Sequence, residues 1–368
     1  MNQNHGVFKE LRTSLLSWYD RHARILPWRE DPTPYRVWVS EMMLQQTRVD
    51  TAIPYFEAFI HELPDVEALA NATEEKLLKL WQGLGYYSRV RNLGKAAGIV
   101  LEEYGGSLPR DPLILKKLPG LGDYASGAIA SIAYGTRATA VDGNVLRVIA
   151  RLTGDEGNIK DPVVKRRITT FVEELLPMER VGDFNQALME LGAMVCLPGG
   201  EPLCGECPWQ GHCRALSEGK TRSIPKKEKE KEKKSEDLTV FVLHRGGKIA
   251  LDKRPEGGLL AGLQEFPNHP GHLGLEEAIA LVGSWGYGVL EIRALPASRH
   301  VFSHRVWNMV GWEIQLLGAG ADPKNRTWAD PDEIREVHSI PTAYRVYLKH
   351  VLSDGRNLDQ TRREGIID

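Results

Sequence analysis

Residues 118–128 read Leu118-Pro119-Gly120-Leu121-Gly122-Asp123-Tyr124-Ala125-Ser126-Gly127-Ala128, a glycine-rich turn that runs straight into a small-residue, apolar segment. A proline and two glycines argue against a continuous helix through 119–122, whereas the run from about Ala125 to Ala133 has helical character. A hairpin of this kind at a helix start leaves backbone N–H groups unobstructed. Together with the helix dipole they can grip a phosphate. Glycine-rich turns precede many helices, so the pattern alone does not fix a ligand.

Outward from this turn the helical period continues. Phe8, Leu11, Leu15, Trp18 and Tyr19 recur at three and four residues, as one buried helix face does. Leu77, Leu78, Leu80 and Trp81 predict a helix ending near Gly83, and Asn144–Leu152 predicts another. Pro27, Pro34, Pro54, Pro64, Pro109 and Pro119 punctuate the pattern. Residues 1–222 therefore read as all-α. Pro225–Asp237, PKKEKEKEKKSED, alternates charge without apolar residues and reads as a solvated linker, bounded at 223–237. Beyond it the period changes to two. Leu238–Leu243 and Ile249–Leu251 flank a Gly246-Gly247 turn, a β-hairpin; Val306–Leu317 predicts a further strand and Glu276–Val282 a helix. This second region reads as α+β, and no internal repeat is present.

At 368 residues the chain is long enough for two or three cores. The formal net charge is −2, so no global positive field draws it to polyanions, and nucleic-acid binding would need a local basic face, backbone amides and a shaped groove. Met1–Gly6 is short and polar, and no stretch approaches the roughly 18 apolar residues of a membrane span. A reduced, cytoplasmic setting without membrane contact is the expectation.

All four cysteines of the chain fall in one window: Cys196, Cys204, Cys207 and Cys213. The last three are spaced C-x2-C-x5-C, which lets neighbouring thiolates converge on one object. A cubane [4Fe–4S] cluster suits such a loop; a closed four-thiolate zinc site is the alternative. Disulfides are disfavoured in a chain with no other cysteine and no secretory leader.

Taken together, these segments resemble a known family. Leu118–Gly122 is similar to the helix-hairpin-helix of the endonuclease III superfamily of DNA glycosylases. Asp142, in Ala140-Val141-Asp142-Gly143-Asn144-Val145, matches that superfamily's aspartate motif, and the cysteine window follows where its iron–sulfur loop lies. Leu26-Pro27-Trp28-Arg29, Val39–Thr47, Gly83–Arg89 and Phe302-Ser303-His304 narrow the resemblance to the MutY family of adenine glycosylases. These motifs run in family order from about residue 26 to 304. Gly258–Pro267 resembles the Nudix-related C-terminal domain of that family, with Gln264 where a tryptophan is usual. No Nudix metal box is present, so pyrophosphate hydrolysis is not expected.

The resemblance implies a mainly α glycosylase region with an α+β Nudix-like domain. Residues 1–28 and 136–222 would form the iron–sulfur helical domain, 29–135 a six-helix barrel with the helix-hairpin-helix, 223–237 the linker, and 238–368 the domain that recognises 8-oxoguanine. It implies a [4Fe–4S] cofactor on Cys196, Cys204, Cys207 and Cys213; the Cys196–Cys204 gap is one residue longer than usual, which a Gly199-Gly200 loop can absorb. Arg214 beside the cluster would face phosphate.

The chemistry follows from the bond. Breaking C1′–N9 builds positive charge on the sugar, and adenine leaves poorly until a ring nitrogen is protonated. One proton donor and one anion are needed, as in glycoside hydrolysis. Glu41, flanked by Val37-Trp38-Val39 and Met42-Met43-Leu44, is the candidate acid, since an apolar setting raises its pKa. Asp142 is the candidate anion and also a natural N-cap, whose amide donors would keep it charged. By resemblance, Glu41 protonates N7, Asp142 and Asn144 serve the sugar cation, and Tyr124 orients the acid and the water. Tyr124 occupies the position of a lysine nucleophile in strand-cleaving relatives, and a phenol cannot form a Schiff base, so a monofunctional enzyme is expected. Trp28, Arg29 and Gln186 would surround the flipped base; Gln46, Leu84 and Tyr86 would enter the duplex; Gly120 and Gly122 would hold phosphate; Phe302, Ser303 and His304 would read 8-oxoguanine. The expected partner is double-stranded DNA with adenine opposite 8-oxoguanine, bound by a nucleoid-associated monomer.

Overall fold

The Pro34–Leu44 helix is buried along most of its surface, with Tyr35, Val37, Trp38, Val39, Ser40, Glu41, Met42 and Met43 all buried. A helix without a polar face belongs at the centre of a bundle. Thr33 caps its start by accepting from Arg36 N–H at 3.3 Å, and Pro34 occupies the first turn, where no donor is lost. The structure is a computed structural model that describes residues 2–226, 232–318 and 320–353. It divides into two units, Met1–Ala72 with Arg89–Lys229 and Thr73–Ser88 with Glu230–Asp368.

In the first unit, the Pro34–Leu44 helix packs on Asp123–Tyr134, while Val181–Met194 packs on Asn2–His22, Asp123–Tyr134 and Gly143–Thr153. Leu11, Leu15 and Trp18 join Val145, Ile149, Ile168, Phe184, Leu188 and Leu191 in one core. Trp209 of the cysteine loop is buried in that core and donates its indole N–H to Leu11 O at 2.9 Å. The turn at 118–122 joins the short Pro112–Leu115 helix to Asp123–Tyr134. Gly120 has φ +81°, and a Cβ there would lie 2.8 Å from Asn92 Cβ, so both the backbone and the packing demand glycine.

The second unit is built on a mixed sheet. Its strands are β1 (Lys234–Arg245), β2 (Lys248–Lys253), β3 (Gln264–Glu265), β4 (Asn268–Pro270), β5 (Gly288–Val301), β6 (Arg305–Leu317) and β7 (Arg326–Ala329). The order is β3-β2-β1-β6-β5, with β4 on β1 and β7 on β2; β1 and β6 are parallel and the other pairs antiparallel. Alternation along β1 serves two cores. Val240 and Val242 pack with Tyr344 and Tyr347 on one face, and Phe241 and Leu243 pack with Ala278 and Val282 of the Leu275–Ser284 helix on the other.

Two sequence expectations change here. Strand β1 begins at Lys234, inside the stretch read as linker, because its polar residues pair with polar partners on β6. Glu236 accepts from Arg305 Nη1 (2.6 Å) and Trp307 Nε1 (3.0 Å), and Asp237 accepts from Asn308 Nδ2 (2.9 Å). Residues 227–231 of that stretch lie outside the described residues. Residues 73–88, read as part of the barrel, group with the second unit: Lys79 Nζ donates to Ile334 O and His338 O, Gln82 to Ile340 O, and Ser339 Oγ to Leu78 O. Among the described residues no helix is long and apolar enough to cross a membrane.

Candidate active site

Four helices of the first unit converge on a cavity of about 150 Å³. Pro34–Leu44 supplies Glu41, Asp123–Tyr134 supplies Tyr124, the start of Gly143–Thr153 supplies Asp142 and Asn144, and Val181–Met194 supplies Gln186, Met189 and Glu190. Arg24, Trp28 and Arg29 close it from the segment after the first helix. Trp28 is buried edge-on against Phe56, with ring centroids 5.3 Å apart. Seven residues predicted from sequence (Trp28, Arg29, Glu41, Tyr124, Asp142, Asn144 and Gln186) thus share one wall system.

Glu41 is 6% exposed. Burial raises its pKa to about 7, with Asp142 adding to the rise, while the Tyr124 hydroxyl and Arg29 pull the other way. The Tyr124 hydroxyl donates to Glu41 Oε2 and lies 3.4 Å from Met189 Sδ. Burial, then the charges of Glu41 and Asp142, holds the phenol well above its ordinary pKa, so it stays a donor.

Asp142 caps Gly143–Thr153: Oδ1 accepts from Val145 N–H and Oδ2 from Asn144 Nδ2, both at 2.8 Å. The sequence leads one to expect capping N–H groups that favour the ionised carboxylate, and those donors are present. Burial opposes these donors and outweighs them, so the net direction of its pKa is upward. Behind Asn144 stands a residue that sequence reasoning missed. Arg147, 8% exposed, donates to Asn144 Oδ1 (2.9 Å), Gly192 O (2.9 Å) and Cys196 O (2.8 Å), which ties the cap to the cysteine loop. Gly192 makes room for this: a Cβ there would sit 2.5 Å from Asn144 Cβ. Gly192→Ala is expected to cost about 2 kcal/mol through overpacking, read as a lowered melting temperature, and to reduce activity by moving Asn144.

Arg24 and Glu190 were also missed. Glu190 lies one turn from Gln186 on the same helix face, a legible spacing, but its arginine partners are over 160 positions away in the chain.

The remaining predicted residues occupy other places. Gln46 follows the Pro34–Leu44 helix at φ +58°, and Tyr86, in the second unit, has φ +47° and is 45% exposed. A left-handed backbone at a non-glycine residue is a strain that folds keep where a side chain must be presented. Leu84 is buried at 7%, so Tyr86 and not Leu84 is the presented residue of that turn. Phe302, Ser303 and His304 form the β5–β6 turn; Phe302 packs on Trp307 (4.8 Å between centroids), and Ser303 Oγ is 2.5 Å from Tyr86 Oη. Gly122 is the N-cap residue of Asp123–Tyr134.

The four cysteines, all half-buried, line a single apolar cavity beside Arg151, which donates to Cys196 Sγ at 3.2 Å. Burial pushes the Cys207 thiol up to about 12. Among the described residues no group of histidine, cysteine and acidic side chains is gathered to hold a single metal ion. Arg214 is paired with Glu218 at 2.6 Å, which takes up part of the charge expected to face phosphate.

A helix-hairpin-helix beside a slot that holds buried Glu41 and half-buried Asp142 is an arrangement in keeping with base-excision DNA glycosylases. Residues 39–174 match the HhH-GPD superfamily of base excision DNA repair proteins, and residues 239–350 match the NUDIX domain. The chain is 34% identical over 405 residues to adenine DNA glycosylase of Mus musculus, covering 92% of this chain and 78% of that protein. It is 39% identical over 311 residues to adenine DNA glycosylase of Homo sapiens, covering 70% of this chain and 57% of the human protein. It therefore belongs to the adenine DNA glycosylase family, whose members are hydrolases of N-glycosyl bonds. A solved thermostable thymine-DNA glycosylase shares the fold of the helical region, with 25% identity, a TM-score of 0.53, and coverage of 59% of this chain and all of that one.

Proposed function

We propose that this protein is a monofunctional glycosylase that removes undamaged adenine mispaired with 8-oxoguanine, or with guanine, in duplex DNA. The observation that carries the reading is the pair in the slot: a buried Glu41 whose pKa of about 7 lets it hold a proton at neutrality, and Asp142 fixed by two donors. The adenine leaves the stack and enters the slot. Glu41 gives its proton to N7 as the bond to C1′ breaks, and Asp142 faces the growing charge on the sugar. Tyr124 holds the acid oxygen in place, and a water oxygen then bonds to C1′ while its proton returns to the Glu41 carboxylate, which restores the acid. No amine stands at position 124, so the backbone is left uncut and the product is an abasic site.

Opposite the adenine, Ser303 and His304 on an exposed turn offer a hydroxyl and an imidazole to the N7–H and O8 of the oxidised base. Gln46 and Tyr86 would fill the space left in the duplex. The four cysteines suit a [4Fe–4S] cluster, because four thiols enclose one apolar cavity and Arg151 is there to balance thiolate charge. Such a cluster supplies a covalent tie for the 196–213 loop. Purified protein is expected to be brown and to carry about four irons and four sulfides per chain; zinc at one per chain in colourless protein would rule the cluster out.

The test of function is excision across opposing bases. A duplex with adenine opposite 8-oxoguanine should be nicked only after hot alkali, one with thymine opposite should not, and cutting without alkali would contradict the monofunctional reading.

A further inference from the structure

One charged group in the slot takes no part in this chemistry. Glu190 is 2% exposed, yet it receives Arg24 through two bonds, Nε to Oε2 at 2.8 Å and Nη2 to Oε1 at 2.6 Å, and Arg29 Nη2 to Oε1 at 3.0 Å. A buried carboxylate shared by two guanidinium groups is tolerable only when the geometry is fixed on all sides. Arg29 is therefore held, and its Nε donates to Gln186 Oε1 at 2.8 Å. A guanidinium has no acceptor, so the amide oxygen must face it. The amide NH2 is left at the other corner, bonded to no protein group among the described residues, on a side chain that lines the slot.

We infer that Glu190, acting through Arg29, locks Gln186 as a donor, and that this donor reads N1 of the extruded adenine. The inference rests on the adenine reading above. With N7 taken by Glu41 and N3 beside the glycosidic bond, N1 is the ring acceptor still open. Guanine and hypoxanthine carry N1–H there and would set donor against donor. An unrestrained glutamine could turn its amide over and accept from N1–H; the Arg29 bond forbids that rotation. Glu190 is thus a positioning residue for base selection, since a site built to pair one polarity rejects the other strongly.

The test compares single-turnover excision of adenine, 1-deazaadenine, 3-deazaadenine and hypoxanthine opposite 8-oxoguanine. The proteins are the wild type, Gln186→Met, which leaves the ion cluster intact, and Glu190→Gln. The ratio of adenine to 1-deazaadenine rates should be about tenfold larger in the wild type than in Gln186→Met, the worth of one hydrogen bond, with the 3-deazaadenine ratio unchanged. Glu190→Gln should raise hypoxanthine release relative to adenine, a shift that mere loosening of the fold would not cause. Equal 1-deazaadenine ratios in wild type and Gln186→Met, or a change confined to 3-deazaadenine, would overturn the inference alone. Failure of the wild type to release adenine would sink the function and the inference together.

Discussion

Replacing Glu41 by glutamine is expected to lower single-turnover excision of adenine by about 10³-fold or more while sparing duplex binding. Glutamine keeps the shape of the acid and can still accept from Tyr124, but it has no proton to give to N7. Binding, measured by fluorescence anisotropy, should hold because Glu41 is buried in the slot and the substitution changes no exposed charge. The wild-type rate should fall as pH rises through about 7, where Glu41 loses its proton, and this limb should be missing from the residual activity of Glu41→Gln. The stability effect has the opposite sense. A carboxyl whose folded pKa lies above its ordinary 4.5 makes the fold pay for ionisation as pH climbs from 4.5 towards 7, and the penalty stays constant above that. Glu41→Gln should therefore melt higher than wild type at pH 8 and similarly at pH 4.5. A variant with near-normal excision, or one that melts lower at pH 8, would remove Glu41 from the role of acid.

What the sequence disclosed and what it hid divide along one physical line. Local patterns were legible: apolar recurrence gave the helices around Leu11 and Ile149, alternation gave β1 and β6, and Gly120 announced a turn that the backbone angle bears out. Charge runs misled where a polar strand had polar neighbours, as at Ser235–Asp237 of β1, which pair with Val306–Asn308 of β6, since composition does not reveal who sits alongside. Edge strand β5 escaped notice because most of its residues are exposed and two irregularities break its alternation. In the slot, the residues that touch chemistry sit in recognisable motifs, but Arg147, Arg24 and Glu190 do not. Their work is to hold groups far away in the chain, the Gly192 and Cys196 carbonyls for Arg147 and each other's side chains for Arg24 and Glu190, and only the folded arrangement displays it. The upward pKa of Asp142 belongs to the same group: a capping motif is visible in sequence, the depth at which it is buried is not.

That depth makes Asp142 the more demanding case. Asp142→Asn is expected to reduce excision by about 10²–10³-fold, the scale of removing a fixed charge aimed at a developing one. Asparagine is itself a good N-cap, so the bond from Val145 N–H can persist and the fold should not weaken much. At the other oxygen the polarity fails: an NH2 placed there faces the Asn144 NH2, which donates to Asp142 Oδ2 in the native chain. Turning Asn144 over would then set its NH2 against Arg147 Nη2, which donates to Asn144 Oδ1 at 2.9 Å. The substitution therefore removes the charge and also misaligns the chain of donors behind it. Asn144→Ala separates the two effects, since it keeps the anion and removes only one of its donors; a loss of about tenfold is expected there. The two rates should be read beside melting curves that show both variants folded. If Asp142→Asn kept a rate within tenfold of wild type, the sugar cation would have to be stabilised by something other than the carboxylate at 142.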